Sequence, residues 1–127
     1  MSVEPTGLPY HVIVSSVLVN GVPAIDGTEI GIFDDTLCVG TSVFSGVNEN
    51  IDIVTWEGSS NPYLPGFTAG SSISAKVYVD IYNTMLTLDA QLDFEVGSGS
   101  FGSGSYSDLG LSVSIQQVQT QNIQDIA

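Results

Sequence analysis

Strict alternation of apolar and polar side chains is the feature that most constrains the fold of this chain. In "ISAKVYVDI", residues 73–81, every second residue is apolar, and the same period of two runs through residues 85–96. Successive side chains of a β-strand point to opposite faces, so this pattern predicts strands with one buried and one solvated face. No segment shows a sustained period of 3.6 with caps, which indicates little or no helix.

Runs rich in β-branched residues predict seven strands, separated by turn signals such as Asn20-Gly21 and Asp26-Gly27. The predicted strands are residues 10–19, 29–33, 37–44, 51–56, 73–81, 85–96 and 111–118, with long loops at 57–72 and 97–108. A lone sheet of this size would leave one apolar face uncovered. The expected fold is therefore all-β, an antiparallel two-sheet β-sandwich of Greek-key or jelly-roll type with about seven to nine strands.

The length of 127 residues, 43% of them apolar, fits one domain with a packed core. We expect a single domain over residues 1–115. The remaining segment, "QQVQTQNIQDIA" at 116–127, is rich in glutamine. It is interpreted either as a linker or as a strand exchanged with the sheet edge of another chain.

The charge balance excludes whole classes of partner. Lys76 is the only basic side chain against fourteen carboxylates, which gives a formal net charge of −13. Such a field repels nucleic acid phosphates and anionic lipid headgroups. The apolar runs are also too short to span a bilayer, so neither nucleic acid binding nor membrane insertion is expected.

Cysteine usage and the first residues bear on the compartment. One cysteine, Cys38, cannot form an internal disulfide, and with one histidine it cannot build a usual structural zinc site. Residues 1–5 show no basic segment followed by an apolar one, so no signal peptide is visible. An extracellular or cell-surface location is expected from the overall composition.

The pair Asp34-Asp35 has three readings. The first is a hairpin turn in which aspartate bonds nearby backbone N–H groups, and it is favoured. The second is a calcium site completed by Asp26 and Glu29, although neither EF-hand nor RTX spacing is present. The third, acid–base catalysis, is disfavoured because adjacent carboxylates at a hairpin tip share one wet environment.

No catalytic constellation stands out, and the chain is predicted not to be an enzyme. His11 is the only histidine and lies in a strand pattern without a nucleophile motif such as G-x-S-x-G. Cys38 lies in an apolar run, which is typical of a small core residue, and it lacks the positive neighbours of a reactive thiolate. No cofactor is expected, with calcium as the one alternative.

Aromatic residues supply the candidate ligand-binding positions. Flat aromatic faces accompanied by Asp, Asn and Gln suit neutral sugars, and this composition offers both. The candidates are Trp56, Tyr63, Phe67, Phe101 and Tyr106. The competing interpretation is that Trp56 packs in the core and that the loop aromatics anchor their own loops.

Several motifs in this order resemble a β-rich module of large secreted or surface-attached bacterial proteins, over roughly residues 5–113. The motifs are "PTGLPYHVIVSSVLVNG", "GTEIGIFDDTLCVGTSVF", "IVTWEG", "GFTAGSSISAKVYVD" and "GSGSFGSGSYSDLGL". The resemblance implies a β-sandwich, an extracellular place and no catalytic role. Together with the strand pattern, it leads us to expect a structural or adhesive module that assembles through β-edge and loop contacts, with itself or with neighbouring domains. The alternative is a carbohydrate-binding module that uses the loop aromatics to bind a polysaccharide.

Overall fold

The computed structural model describes residues 8–44, 50–60, 63–81 and 83–115, and within them it contains strands and turns but no helix. The all-β prediction is confirmed. The described residues form eleven strands, more than the predicted seven to nine. They are β1 (Pro9–Val19), β2 (Val22–Pro23), β3 (Glu29–Asp34), β4 (Leu37–Val43), β5 (Ile51–Trp56), β6 (Ser59–Ser60), β7 (Tyr63–Leu64), β8 (Ile73–Ile81), β9 (Thr84–Asp89), β10 (Gln91–Val96) and β11 (Tyr106–Val113).

The strands form two main sheets and a two-stranded ribbon. The five-stranded sheet runs β10-β11-β1, with β2 and β5 both paired to the remaining edge of β1. The four-stranded sheet has the order β4-β3-β8-β9, and β6 pairs with β7. In the described part of the chain, no helix is long and apolar enough to cross a membrane.

One pairing departs from the predicted antiparallel arrangement. β1 and β11 lie side by side in parallel, from His11 opposite Tyr106 to Val19 opposite Val113. The other strand pairs are antiparallel. Parallel neighbours require a crossover connection, and here the whole four-stranded sheet lies between these two strands in the chain. Local sequence patterns cannot reveal such a distant pairing.

The predicted strand at 85–96 is two strands that belong to different sheets. It breaks at Ala90: β9 ends at Asp89 in the four-stranded sheet, and β10 begins at Gln91 in the five-stranded sheet. The amide of Ala90 donates to the carbonyl of Ala75 at 3.0 Å. Strands that switch sheets through a bend are a known way of turning a corner between two sheets.

Other boundaries follow the predicted signals, with two corrections. Asn20 and Gly21 have φ of 53° and 81° and join β1 to β2, as expected of a type I′ hairpin turn. The predicted loop at 97–108 ends earlier because β11 begins at Tyr106, and the predicted loop at 57–72 contains β6 and β7. Residues 45–49, between the predicted strands 37–44 and 51–56, and the whole tail at 116–127 lie outside the described residues.

The buried side chains of both main sheets form one cluster. Most of its completely buried members come from β1, β3, β4, β5, β8 and β11 and include Val12, Ile30, Val39, Ile53, Val77 and Leu109. Cys38 is a free, buried cysteine, which confirms the prediction made for it. Burial of these alternating aliphatic side chains supplies the main driving force for folding.

At one point the two sheets approach too closely for any side chain. A Cβ placed on Gly40 of β4 would lie 2.8 Å from the carbonyl oxygen of Val54 and 3.0 Å from Cγ2 of Ile53, both on β5. The nearest obstacle is backbone, which cannot rotate away. Gly40 therefore lets an edge strand of one sheet lie against an edge strand of the other.

We predict that Gly40→Ala lowers the free energy of unfolding by about 1–3 kcal/mol, the usual cost of forcing extra atoms into a packed site. In an unobstructed strand the same change would stabilise the chain by restricting the unfolded state, so the sign is diagnostic. Urea unfolding would measure it. Thr41→Ala, on the exposed side of the same strand, is the control and should change stability by less than about 0.5 kcal/mol. A stabilised Gly40→Ala protein would contradict the close approach.

Candidate functional site

The strand register builds a polar site on the outer face of the five-stranded sheet. Ile13 on β1 is paired with Asp52 on β5 and with Asp108 on β11. The two carboxylate-bearing residues therefore flank one apolar side chain across three adjacent strands. Two residues earlier on the same face of β1, His11 is paired with Tyr106 on β11. These five residues line a depression of about 560 Å³, to which Asn50 and Ser105 also contribute; we call it the His11 depression.

Alternation along β1 places these groups. Tyr10, Val12 and Val14 point into the buried cluster, so His11 and Ile13 must point outward. The same rule turns Asp108 outward while Ser107 and Leu109 are buried. Each polar group of the depression therefore occupies the solvent side of a strand whose other side is held by the core.

An imidazole–carboxylate pair forms the ordered part of the depression. The Nδ1 atom of His11 lies 2.8 and 2.9 Å from the two carboxylate oxygens of Asp52. Their side chains are 44% and 51% exposed. This contact orients the imidazole, which leaves Nε2 as its second polar atom. Because the pair is open to water on a sheet surface, it resembles a recognition surface more than an enclosed reaction site.

Asp108 differs from Asp52 in having an unpaired oxygen. Its Oδ1 atom is buried and has no hydrogen-bond partner within the described part of the chain. A buried carboxylate oxygen without a donor is costly in free energy. Asp108 as a whole is only partly buried, so its carboxylate can be approached from the solvent side by water, by a cation or by an N–H donor from outside this sheet.

The five predicted ligand-binding aromatics are not brought together. Tyr106 lines the His11 depression, whereas Tyr63 is 76% exposed and lines a different depression of about 430 Å³ beside residues 57–59 and 64–68. Trp56 ends β5 opposite Pro9 and is half-buried. Only Tyr63 and Tyr106 are large aromatics with substantial exposure among these candidates.

Phe67 and Phe101 are interior residues. They are 4% and 1% exposed, and their rings stack with centroids 4.8 Å apart and planes 9° apart. Tyr10 meets both rings edge-on, at 6.2 and 6.5 Å. Phe67 borders the Tyr63 depression, but at 4% and 1% exposure neither phenylalanine offers an open ring face for stacking. These aromatic side chains instead join the two long loops to each other. This agrees with the interpretation that the loop aromatics serve as anchors.

The hydroxyl of Tyr10 extends this anchor. It donates to the carbonyl of Ser103 at 2.7 Å and shares a second hydrogen bond of 2.7 Å with the Ser107 hydroxyl, which is fully buried. The segment between β10 and β11 is therefore tied to β1 by hydrogen bonds as well as by ring packing.

Tyr10→Phe is predicted to lower the free energy of unfolding by about 1–3 kcal/mol, because it strands the buried Ser107 hydroxyl. Thermal or urea unfolding would measure the loss. Tyr63→Phe, which removes a hydroxyl from an exposed ring, is the matched control and should be close to neutral. Equal stability of the two variants would mean that the Tyr10 hydroxyl does not anchor the loop.

The four carboxylates proposed as calcium ligands do not form one site. Glu29 and Asp34 stand at opposite ends of β3, about 17 Å apart along an extended strand. In the described residues, no group of three or more His, Cys, Asp or Glu side chains is arranged to hold a metal ion. Asp26 lies in the turn before Gly27, and Asp35 has a left-handed φ of 56° in the β3–β4 turn.

The turn reading of Asp34-Asp35 is confirmed, although the hydrogen bond differs from the expected local cap. Asp34 ends β3, and its Oδ2 accepts a hydrogen bond of 2.7 Å from the amide of Thr68. This contact joins the β3–β4 turn to the distant loop that carries Phe67. The carboxylate therefore positions a loop instead of capping its own turn.

The outer face of the four-stranded sheet carries a second, more apolar surface. A Cβ on Gly31 would lie 2.9 Å from the Phe33 ring and 3.3 Å from the Tyr78 hydroxyl, so both rings cover this glycine. The Lys76 ammonium lies 5.5 Å from the Phe33 ring centroid, within cation–π range. Desolvation by this packing raises the pKa of Tyr78. The nearby Cys38 and Glu29 act in the same direction, and Lys76 opposes them.

This raised pKa predicts a loss of stability in alkali. Above the ordinary tyrosine pKa of 10.0, the unfolded chain releases the Tyr78 proton before the folded chain does, so the free energy of unfolding falls as pH rises further. Tyr78→Phe should reduce this fall, whereas Tyr63→Phe should reduce it less. Urea unfolding between pH 8 and 11 would measure both. An unchanged alkaline slope in Tyr78→Phe would contradict the desolvation of this phenol.

Sequence reasoning missed Asp52 and Asp108 as site residues. Each stands on the polar side of a strand, but nothing local indicates that both would flank Ile13. The strand pattern around His11 does not indicate a binding role, and its place beside Asp52 depends on the same long-range register. Comparisons of this chain with protein-family models, with curated proteins and with solved structures found no match.

Proposed function

We propose that this chain is a non-catalytic, extracellular structural or adhesive module that self-associates through the edge strand β9. In this proposal the two main sheets face each other as a β-sandwich of jelly-roll type, since their buried side chains belong to one cluster. The sandwich leaves strand edges at its margins. These edges are where another chain can add a strand.

The neutral edge of β9 carries the proposal. Within the described residues, β9 ends the four-stranded sheet and has a strand partner on one side only. Its residues from Thr84 to Leu88 are uncharged, and Met85 is 58% exposed. The one carboxylate of β9, Asp89, lies 2.6 Å from the ammonium of Lys76. The only basic side chain of a strongly acidic protein thus neutralises the single charge on this edge.

The other edges are less suited to pairing with a second copy. β10 carries Asp93 and Glu95 on exposed positions, and carboxylates on an edge oppose association with a like-charged chain. β4 lies against β5 at Gly40, so that edge is already approached by protein. Unlike β10, β9 carries a single carboxylate, which Lys76 neutralises, and unlike β4 it has no other strand against its free edge within the described residues.

Three further observations support an extracellular, non-catalytic role. With one lysine and no arginine, the chain offers few sites to trypsin-like proteases, and it resembles secreted bacterial modules. His11 and Cys38 stand on different sheets and so do not form a Cys–His pair. The carbohydrate-binding alternative has less support because its two exposed aromatics, Tyr63 and Tyr106, lie in separate depressions.

Sedimentation velocity over a range of protein concentrations tests the proposal. We expect the native chain to associate reversibly, and Thr87→Glu on β9 to weaken association by about tenfold or more, because it brings like charges together at the paired edge. Thr41→Glu on β4 makes the same chemical change on an exposed residue of the opposite edge and should leave association nearly unchanged. A chain ending at Ile115 tests whether residues 116–127 take part.

Two outcomes contradict the proposal. A native chain that stays monomeric at every concentration removes the self-association. Equal weakening by Thr87→Glu and Thr41→Glu would mean that net charge, and not the β9 edge, governs association.

A further inference from the structure

We propose that the His11 depression binds the cationic side chain of a partner protein, with an arginine guanidinium as the best-fitting group. The carboxylates of Asp52 and Asp108 stand on either side of Ile13, on strands whose outer members are about 10 Å apart. An arginine side chain has an apolar stem and a charged head. Ile13 offers contact for the stem, and the flanking carboxylates accept hydrogen bonds from the head.

The balance of charges within the His11 depression favours binding of a cation. Asp52 already contacts His11, whereas Asp108 has a buried oxygen without a partner among the described residues. Two carboxylates face at most one positive charge in this depression, and that charge exists only when His11 is protonated. A guanidinium brings five N–H donors and a permanent charge, so it offsets the negative charge that His11 leaves uncompensated in this depression.

The aromatic ring of Tyr106, at the margin of the depression, also favours an arginine head over an ammonium. Tyr106 is 41% exposed and lies beside His11 in the register. An arginine head stacks on an aromatic face more readily than an ammonium does, and it can also engage a carboxylate in a fork of two hydrogen bonds. A depression of about 560 Å³ has room for one such side chain together with its flanking backbone.

A bare metal ion fits less well. Calcium requires six to eight oxygen ligands, and the described residues contain no cluster of three or more potential metal-ligating side chains. A small ion would need the two carboxylates to converge on it. The apolar side chain of Ile13 lies between them. An extended organic cation spans such a separation.

The cation cannot come from a second copy of this chain without breaking an existing contact. The sequence contains one basic residue, Lys76. Its ammonium lies 2.6 Å from Asp89 on the four-stranded sheet, remote in topology from β5, β1 and β11. The favoured occupant is therefore an arginine that lies outside the 127 residues of this sequence. This surface lies on the five-stranded sheet, whereas the proposed self-association edge belongs to the four-stranded sheet.

NMR titration of the full chain with a capped Gly-Arg-Gly peptide at low ionic strength tests the inference. His11 is the only histidine, so its ring resonances report on the depression without interference. We expect a saturable shift of those resonances. The capped Gly-citrulline-Gly peptide, which has nearly the same shape without the charge, should produce no saturation.

Two charge-matched variants separate the site from general attraction to an acidic protein. Asp108→Asn should weaken binding of the arginine peptide by about fivefold or more, as expected for loss of a charge-assisted hydrogen bond. Asp80→Asn, which removes an exposed charge from β8 on the other sheet, should weaken it less than about twofold. Asp52→Asn gives a second readout if Asp108→Asn fails to fold, and it should also weaken binding.

Several results would overturn the inference. These are the absence of a saturable shift, equal affinity for the citrulline peptide, or equal weakening by the Asp108 and Asp80 variants. A saturable shift with calcium chloride in place of the arginine peptide would assign the depression to a metal ion. None of these outcomes bears on self-association through β9, which is measured separately and does not involve His11.

Discussion

The arrangement of the five-stranded sheet depends on a single irregularity in β1. Val14 is paired with Leu109 and Ser16 with Gly110, so Ser15 is an extra residue in the register. This bulge shifts the phase of the alternation, and Val17 is therefore buried where regular alternation would turn it outward. Before the bulge β1 pairs with β5, and after it β1 pairs with β2. One strand thus serves two partners on one edge while β11 occupies the other.

The sequence predicts strands best where alternation is regular and local. The faces of β8 are as expected, with Ile73, Ala75 and Val77 buried and Ser74 and Asp80 exposed. The break at Ala90 could not be predicted, because Leu88, Ala90 and Leu92 keep their phase through the change of sheet and all pack against the same cluster. Periodicity records which side of a strand is buried, but it does not record which sheet the strand belongs to.

The candidate site could not be predicted for a related reason. Asp52, Ile13 and Asp108 lie far apart in the sequence and meet only through two strand registers, and a shift of one residue in either would turn a carboxylate to the other face. The aromatic candidates were selected by residue type alone. Type does not distinguish Phe101, which stacks on Phe67 inside the protein, from Tyr106, which lies five residues later on the surface.

The strong negative charge gives the two proposed contacts opposite responses to salt. Two copies of a protein with a net charge of −13 repel each other, so screening by salt should strengthen pairing of the uncharged β9 edges. Attraction between the His11 depression and an arginine weakens under the same screening, because the Debye length falls from about 30 Å at 0.01 M salt to about 10 Å at 0.1 M. Self-association and partner binding are therefore distinguishable by ionic strength alone. Lys76 is already paired with Asp89, and the sequence has no arginine, so no other permanently charged basic side chain opposes this distinction.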